Sequence, residues 1–187
     1  MTLFDDWLAI PELTDARFSS IFRSQFEALS LARVINPFSI LNELKALEHP
    51  SRFKTNTKKA APFRGGDLHG LMHKHFHLAR NLALNIRNEW GDRTKMERII
   101  SKSMAESESS DPWLVAGKIA DRMVKTAYEH KNLGRSLTGD WIIYKLQSGK
   151  NYYLCLAGHD EDTHQIALRL QDVAVEFPDL TLSRRDA

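Results

Sequence analysis

The segment WIIYKLQSGKNYYLCLAG, Trp141 to Gly158, carries two runs rich in β-branched, aromatic and apolar residues on either side of QSGK. Side chains of those types fit the pleated, half-buried surface of a strand, and a short connection containing serine and glycine joins two such runs as an antiparallel hairpin. The rest of the chain must therefore be read around a piece of β-sheet.

Most of what precedes the hairpin is helical in pattern. Phe18, Ile21, Phe22, Phe26, Leu29 and Val34 recur at helical spacing between Leu13 and Ile35, with Pro37 as a stop. Ile40, Leu41, Leu44 and Leu47 form one stripe of a second, shorter helix from Phe38 to Leu47. Pro62 and the Gly65-Gly66 pair disfavour helix in the segment before them. A long helix is expected from Asp67, a suitable N-cap, to Gly91, a suitable left-handed terminus. Further helical patterns cover Met96 to Met104 and Pro112 to Tyr128, and a last one covers His164 to Val175 beyond the hairpin.

These elements predict an α+β fold: a helical N-terminal portion packed on a small antiparallel sheet, with a C-terminal β-hairpin and a closing helix. We expect a single domain over residues 1–187. It comprises a helical scaffold at 1–50, a basic loop at 51–66, a helical stretch at 67–130, and the hairpin with its C-terminal helix at 133–187. A chain of 187 residues with 42% hydrophobic content can bury a core without covalent staples. Its single cysteine, Cys155, excludes an internal disulfide and points to a reducing compartment. The N-terminus lacks the pattern of a secretory signal and no apolar run approaches the length of a membrane span, so a cytoplasmic location is expected and no membrane partner.

The net charge of +2, from 26 basic and 24 acidic residues, does not by itself announce a nucleic-acid partner. Its distribution is uneven. Between Arg52 and Arg64 lie Arg52, Lys54, Lys58, Lys59 and Arg64 with no acidic residue, whereas AESESSD at 105–111 is acidic and polar. The first stretch suits a local anion site, or a solvated basic loop.

Four histidines, His69, His73, His75 and His77, fall within LHGLMHKHFHLARN at 68–81. On a helix turning about 100° per residue, His75 joins an apolar face while His69, His73, His77 and Arg80 share the polar side. His73 and His75 would then point in roughly opposite directions. Pairs at i,i+4 supply two metal ligands from one face, and a third would have to come from His159 or Asp160; a metal-dependent hydrolase is one reading. Proton transfer asks for less. Imidazole titrates near neutral pH, so one histidine can take a proton from a nucleophile while another gives one to a leaving group, with lysine or arginine stabilising the charge that develops. Cleavage of an RNA backbone by its own 2′-hydroxyl needs no cofactor, and none is expected.

The stretch GDWIIYKLQSGKNYYLCLAGHDED resembles the C-terminal hairpin of RelE-type toxins, in which a strand ending in tyrosine leads through a short turn into an apolar strand ending in histidine. The resemblance spans Gly139 to Asp162. Members of that wider group of small ribonucleases, which includes barnase-like and EndoU-like folds, cleave RNA without metal. Carried over by position, it implies functional roles for Tyr144 and His159, with Lys145 or Lys150 as a phosphate contact.

The leading expectation is therefore a metal-independent ribonuclease, a bacterial toxin or defence effector. His73 and His159 serve as acid and base, and His75 as an orienting or auxiliary residue. Lys74 and Arg80 stabilise phosphate, and the basic loop with Lys59 and Arg64 holds the RNA backbone. A protein inhibitor or antitoxin is the expected second partner. A non-enzymatic binding protein that docks through its basic loop is the other reading.

Overall fold

A computed structural model describes residues 7, 10–78, 81–107, 109, 111–134 and 139–181. It shows an α+β fold built on a five-stranded sheet. The strands are β1 (Arg17–Phe18), β2 (Ala61–Pro62), β3 (Met72–Phe76), β4 (Asp140–Gln147) and β5 (Lys150–Ala157), in the order β1-β5-β4-β3-β2. β4 and β5 are the hairpin expected from sequence. Ser148 and Gly149, both at positive φ, make the two-residue turn whose twist matches that of the flanking strands. The sheet is not purely antiparallel, because β1 pairs parallel to β5.

The helices are α1 (Ser20–Leu31), α2 (Pro37–Glu48), α3 (Asn81–Trp90), α4 (Arg93–Ala105), α5 (Pro112–Leu133), α6 (Thr163–Arg169) and α7 (Val173–Glu176). Their ends follow local chemistry. Ser19, Asn36, Asp92 and Asp162 each accept a backbone N–H of the first turn that has no carbonyl partner within its helix. The helix expected over 13–35 starts later than its apolar pattern implies, since Arg17 and Phe18 are claimed by the edge of β5. Beyond that short strand, Ser19 Oγ donates to Leu154 O at 2.5 Å and the Gln25 amide bonds both the N–H and the C=O of Leu156. Side chains thus finish an edge that the backbone of β1 leaves open.

The largest departure from expectation lies at 67–91, where the chain forms a strand and a shorter helix in place of one long helix. Gly70, at φ 81°, turns the chain into β3. Met72, Lys74 and Phe76 then alternate with His73 and His75 on opposite faces, and β4 on one side with β2 on the other pairs the backbone. The short apolar run Leu68, Leu71, Met72 satisfies either period, and tertiary pairing decided between them. Asp67, expected as the helix cap, instead lies 3.2 Å from His164 at the start of α6.

Each face of the sheet is covered. On one, Phe76, Ile142, Tyr144, Tyr153 and Leu156 pack with Phe22 and Phe26 of α1 and Ile40, Leu41 and Leu44 of α2. On the other, Ile143, Leu154, Cys155 and Ala157 pack with Ile166, Leu170 and Val173 of α6 and α7, and with Leu68, Leu71 and Leu180. A bulge at Ile143/Tyr144 makes Leu154 an extra residue, so Leu154 and its neighbour Cys155 both serve the second cluster. The helices α3, α4 and α5 are inserted between β3 and β4 and pack on one another, tied by Trp90 Nε1 donating to Met123 O at 3.1 Å and by an ion pair of Lys95 with Glu89. Among the described residues no helix is long and apolar enough to cross a membrane.

Candidate active site

Because β3 is a strand, His73 and His75 stand two residues apart on the same face, with ring centroids 5.5 Å apart. Register then recruits their neighbours. His75 lies opposite Trp141 on β4, and Trp141 lies opposite Ala157 on β5. Two residues past Ala157, the chain places His159 with its ring 5.7 Å from His75 and 5.1 Å from Trp141. From the β2 side, Phe63 closes the group at 4.6 Å from His73 and 5.5 Å from Trp141. The result is one continuous aromatic cluster in which His75 sits between the other two imidazoles.

His75 is the anchored member, 4% exposed. Its Nδ1 lies 2.7 Å from the carbonyl oxygen of Gly139. A carbonyl only accepts, so Nδ1 carries the proton and Nε2 holds the lone pair of the neutral ring. Gly139 is there of necessity: a Cβ at that position would fall 1.9 Å from the Phe76 carbonyl oxygen. Burial pushes the His75 imidazole down to about 4, and the nearby Lys58, His73 and His159 act in the same direction against the Gly139 bond. His73 is lowered as well, by burial first and then by His159 and Lys58. Both rings are therefore neutral at pH 7 and able to accept a proton. His73 Nδ1 is buried without a hydrogen-bond partner among the described residues, so chemistry at that ring falls to Nε2. His159 is the more open ring, its side chain 35% exposed and its Nδ1 3.5 Å from the Asp160 carboxylate.

These shifts set a pH dependence of stability. A histidine whose folded pKa lies below its unfolded value of 6.5 stabilises the fold fully above that value. The contribution is lost as the pH falls, because the unfolded chain takes up protons first. For His75 the window runs from 6.5 down to about 4. Urea denaturation at pH 7 and pH 4 is expected to show a loss on the order of 3 kcal/mol from this residue, at about 1.4 kcal/mol per unit. The loss should disappear from the difference between the two pH values in His75→Gln.

Three of the expected phosphate and substrate contacts lie elsewhere. Lys74 is on β3, but alternation turns it to the opposite face, where its ammonium lies 3.1 Å from Glu43 and donates to Thr57 Oγ1 at 2.6 Å and to Lys58 O at 2.7 Å. Thr55 and Thr57 donate to the same carboxylate at 2.7 and 2.9 Å, and the Lys74 and Glu43 side chains are only 7% and 5% exposed. Lys74 is thus an interior cation that pins the 55–58 segment against the sheet. Tyr144 also faces α1 and α2, 3% exposed, with its phenol pushed up to about 12 by burial. Lys150 opens β5 at the turn end, roughly 23 Å along the strand from the histidine end at ~3.3 Å per residue. Lys145 is taken up by a bond to Gly70 O at 2.8 Å. Arg80 lies outside the described residues.

Lys59 and Arg64 are exposed on the segment that carries β2 alongside the histidine strand, as is Lys58. Sequence reasoning missed Phe63, Trp141 and Gly139 as members of the site, and marked Lys58 only as one cation of the basic stretch at 52–64. Only the pairing of β2, β3 and β4 could have revealed them. His69 is exposed, and the i,i+4 pairing that would have joined His69 or His77 to His73 is lost with the helix. Among the described residues no group of three or more His, Cys, Asp or Glu side chains is arranged to hold a metal ion. Comparison of the chain with protein-family models, with curated proteins and with solved structures finds no match.

Proposed function

We propose that the chain is a metal-independent ribonuclease. The observation that supports this reading is the convergence of His73, His75 and His159 on one face of the sheet, with rings 5.5 and 5.7 Å apart in sequence around His75. In the proposed reaction the neutral His73 takes the proton of a ribose 2′-hydroxyl at Nε2. The 2′-oxygen attacks phosphorus, the bond from phosphorus to the 5′-oxygen breaks, and His159 gives the leaving oxygen its proton. The products are a 2′,3′-cyclic phosphate and a 5′-hydroxyl end. His75, fixed by Gly139, orients the two outer rings. Lys58, whose charge acts on both His73 and His75, offsets the negative charge that builds on the phosphoryl oxygens. An activity of this kind suits a bacterial toxin or defence effector held in check by a protein inhibitor.

The test is incubation of the purified chain with RNA in excess chelator. Fragments ending in 2′,3′-cyclic phosphate, and resistance of 2′-O-methylated RNA, are the expected result. Intact RNA at all pH values between 5 and 8 would overturn it.

A further inference from the structure

We propose that Phe63, His73 and Trp141 form a shelf on which one unpaired base stacks, so that the substrate of this site is single-stranded RNA. The inference rests on the ribonuclease reading for the nature of the ligand, and on separate observations for the shelf.

The first is geometry. Phe63 and Trp141 meet edge to face at 84°, and each lies within 5.5 Å of the His73 ring, so the three rings present a joined aromatic surface beside the catalytic imidazoles. Phe63 and Trp141 are only partly buried, at the margin of the cluster under α6 and α7 rather than inside it. The second is charge. Phe63 is followed by Arg64 and preceded by Lys58 and Lys59, all three exposed, in a segment with no acidic residue from Arg52 to Arg64. The pairing of Ala61 with His73 lays that segment along the histidine strand. Aromatic rings set beside a run of cations are what a single strand needs, since bases stack on the rings while the phosphates follow the positive side chains. A paired base is stacked on its own neighbours and cannot reach the shelf, whereas an unpaired one can.

This placement also gives Lys58 its reason. The buried Lys74 ammonium bonds the Lys58 carbonyl, and Glu43 holds Thr55 and Thr57 beside it. The backbone that delivers Lys58 to the histidines is therefore tied to the core. A base on Phe63 and a phosphate between Lys58 and the histidines would be adjacent parts of one nucleotide.

The experiment uses the full chain and three probes: oligouridylate, the same strand with abasic ribose units, and a blunt RNA duplex. Binding is read with His159→Ala, and cutting with the unaltered protein. Trp141 reports directly, because a stacked base quenches its emission, and Trp141→Phe identifies that part of the signal against Trp7, Trp90 and Trp113. Oligouridylate is expected to quench Trp141 and to bind roughly 10- to 100-fold tighter than the abasic strand, the range of one stacking contact. Phe63→Leu should erase that difference and Phe63→Tyr should keep it. Equal affinity for oligouridylate and the abasic strand with no Trp141 quench, or duplex cut as fast as single strand, would overturn the shelf and leave the ribonuclease reading in place. Quenching and base-dependent binding without any cleavage by the unaltered protein would uphold the shelf and overturn the ribonuclease. The quench of Trp141 in His159→Ala keeps the question decidable if Phe63→Leu does not fold.

Discussion

His159→Ala is expected to lower the rate of RNA cleavage by roughly 10²- to 10⁴-fold while leaving the melting temperature nearly unchanged. The two halves of that expectation come from different observations. The ring is within stacking distance of His75 and Trp141, beside the group proposed to act on the phosphodiester, yet its side chain is 35% exposed and contributes little to the core. His73→Ala should show a similar loss, with the ascending limb of the pH profile gone, because the base has been removed. In the unaltered protein that limb should lie below the ordinary histidine value of 6.5, since burial and neighbouring positive groups favour the neutral form of His73. Single-turnover rates on a defined oligonucleotide between pH 4.5 and 8 measure all of these. Rates within a few-fold of the unaltered protein for both variants would end the acid/base assignment.

Lys74→Met is expected to cost about 3–5 kcal/mol in urea denaturation, a large share of the 5–15 kcal/mol that holds a domain folded. The substitution removes the only cation found, among the described residues, beside a carboxylate that is itself 5% exposed, and leaves two threonine hydroxyls bonded to it. Burial already raises the affinity of Glu43 for a proton and Lys74 opposes that rise, so the variant should take up a proton at Glu43 at a higher pH than the unaltered protein does. The double variant Lys74→Met/Glu43→Leu should recover most of the loss, because a buried pair replaced by apolar groups leaves no charge stranded. A lysine on the catalytic surface would behave in the opposite way, costing rate and little stability. The comparison therefore decides between the interior role seen here and the phosphate-binding role expected from sequence.

What was legible in the sequence follows from how local each signal is. The hairpin declares itself through two apolar runs and a Ser-Gly turn within eighteen residues, and the structure pairs them as β4 and β5, with a bulge at Ile143/Tyr144 that no local signal marks. α2 is announced by Asn36, Pro37 and one apolar stripe. β3 is not legible because its central residues are polar: Lys74 can be buried only once Glu43 is beside it, and His75 only once Gly139 offers a carbonyl. Both partners are distant in sequence, so nothing near MHKHF marks it as the middle of a sheet. The same holds for the site. His73, His75 and His159 could be singled out by residue type, but their common face depends on a period of two. Trp141 and Phe63 join them only through pairing with β3.

The three helices inserted between β3 and β4 have a kinetic consequence. β4 and β5 can zip from their two-residue turn within microseconds, whereas β3 must find β4 across everything from His77 to Gly139. Lengthening such a connection adds only slowly to the equilibrium cost of closing it, but contacts of this span form after the local ones. The imidazoles of β3 therefore meet His159 among the last events of folding, and a chain can hold its hairpin complete before its three-histidine cluster exists.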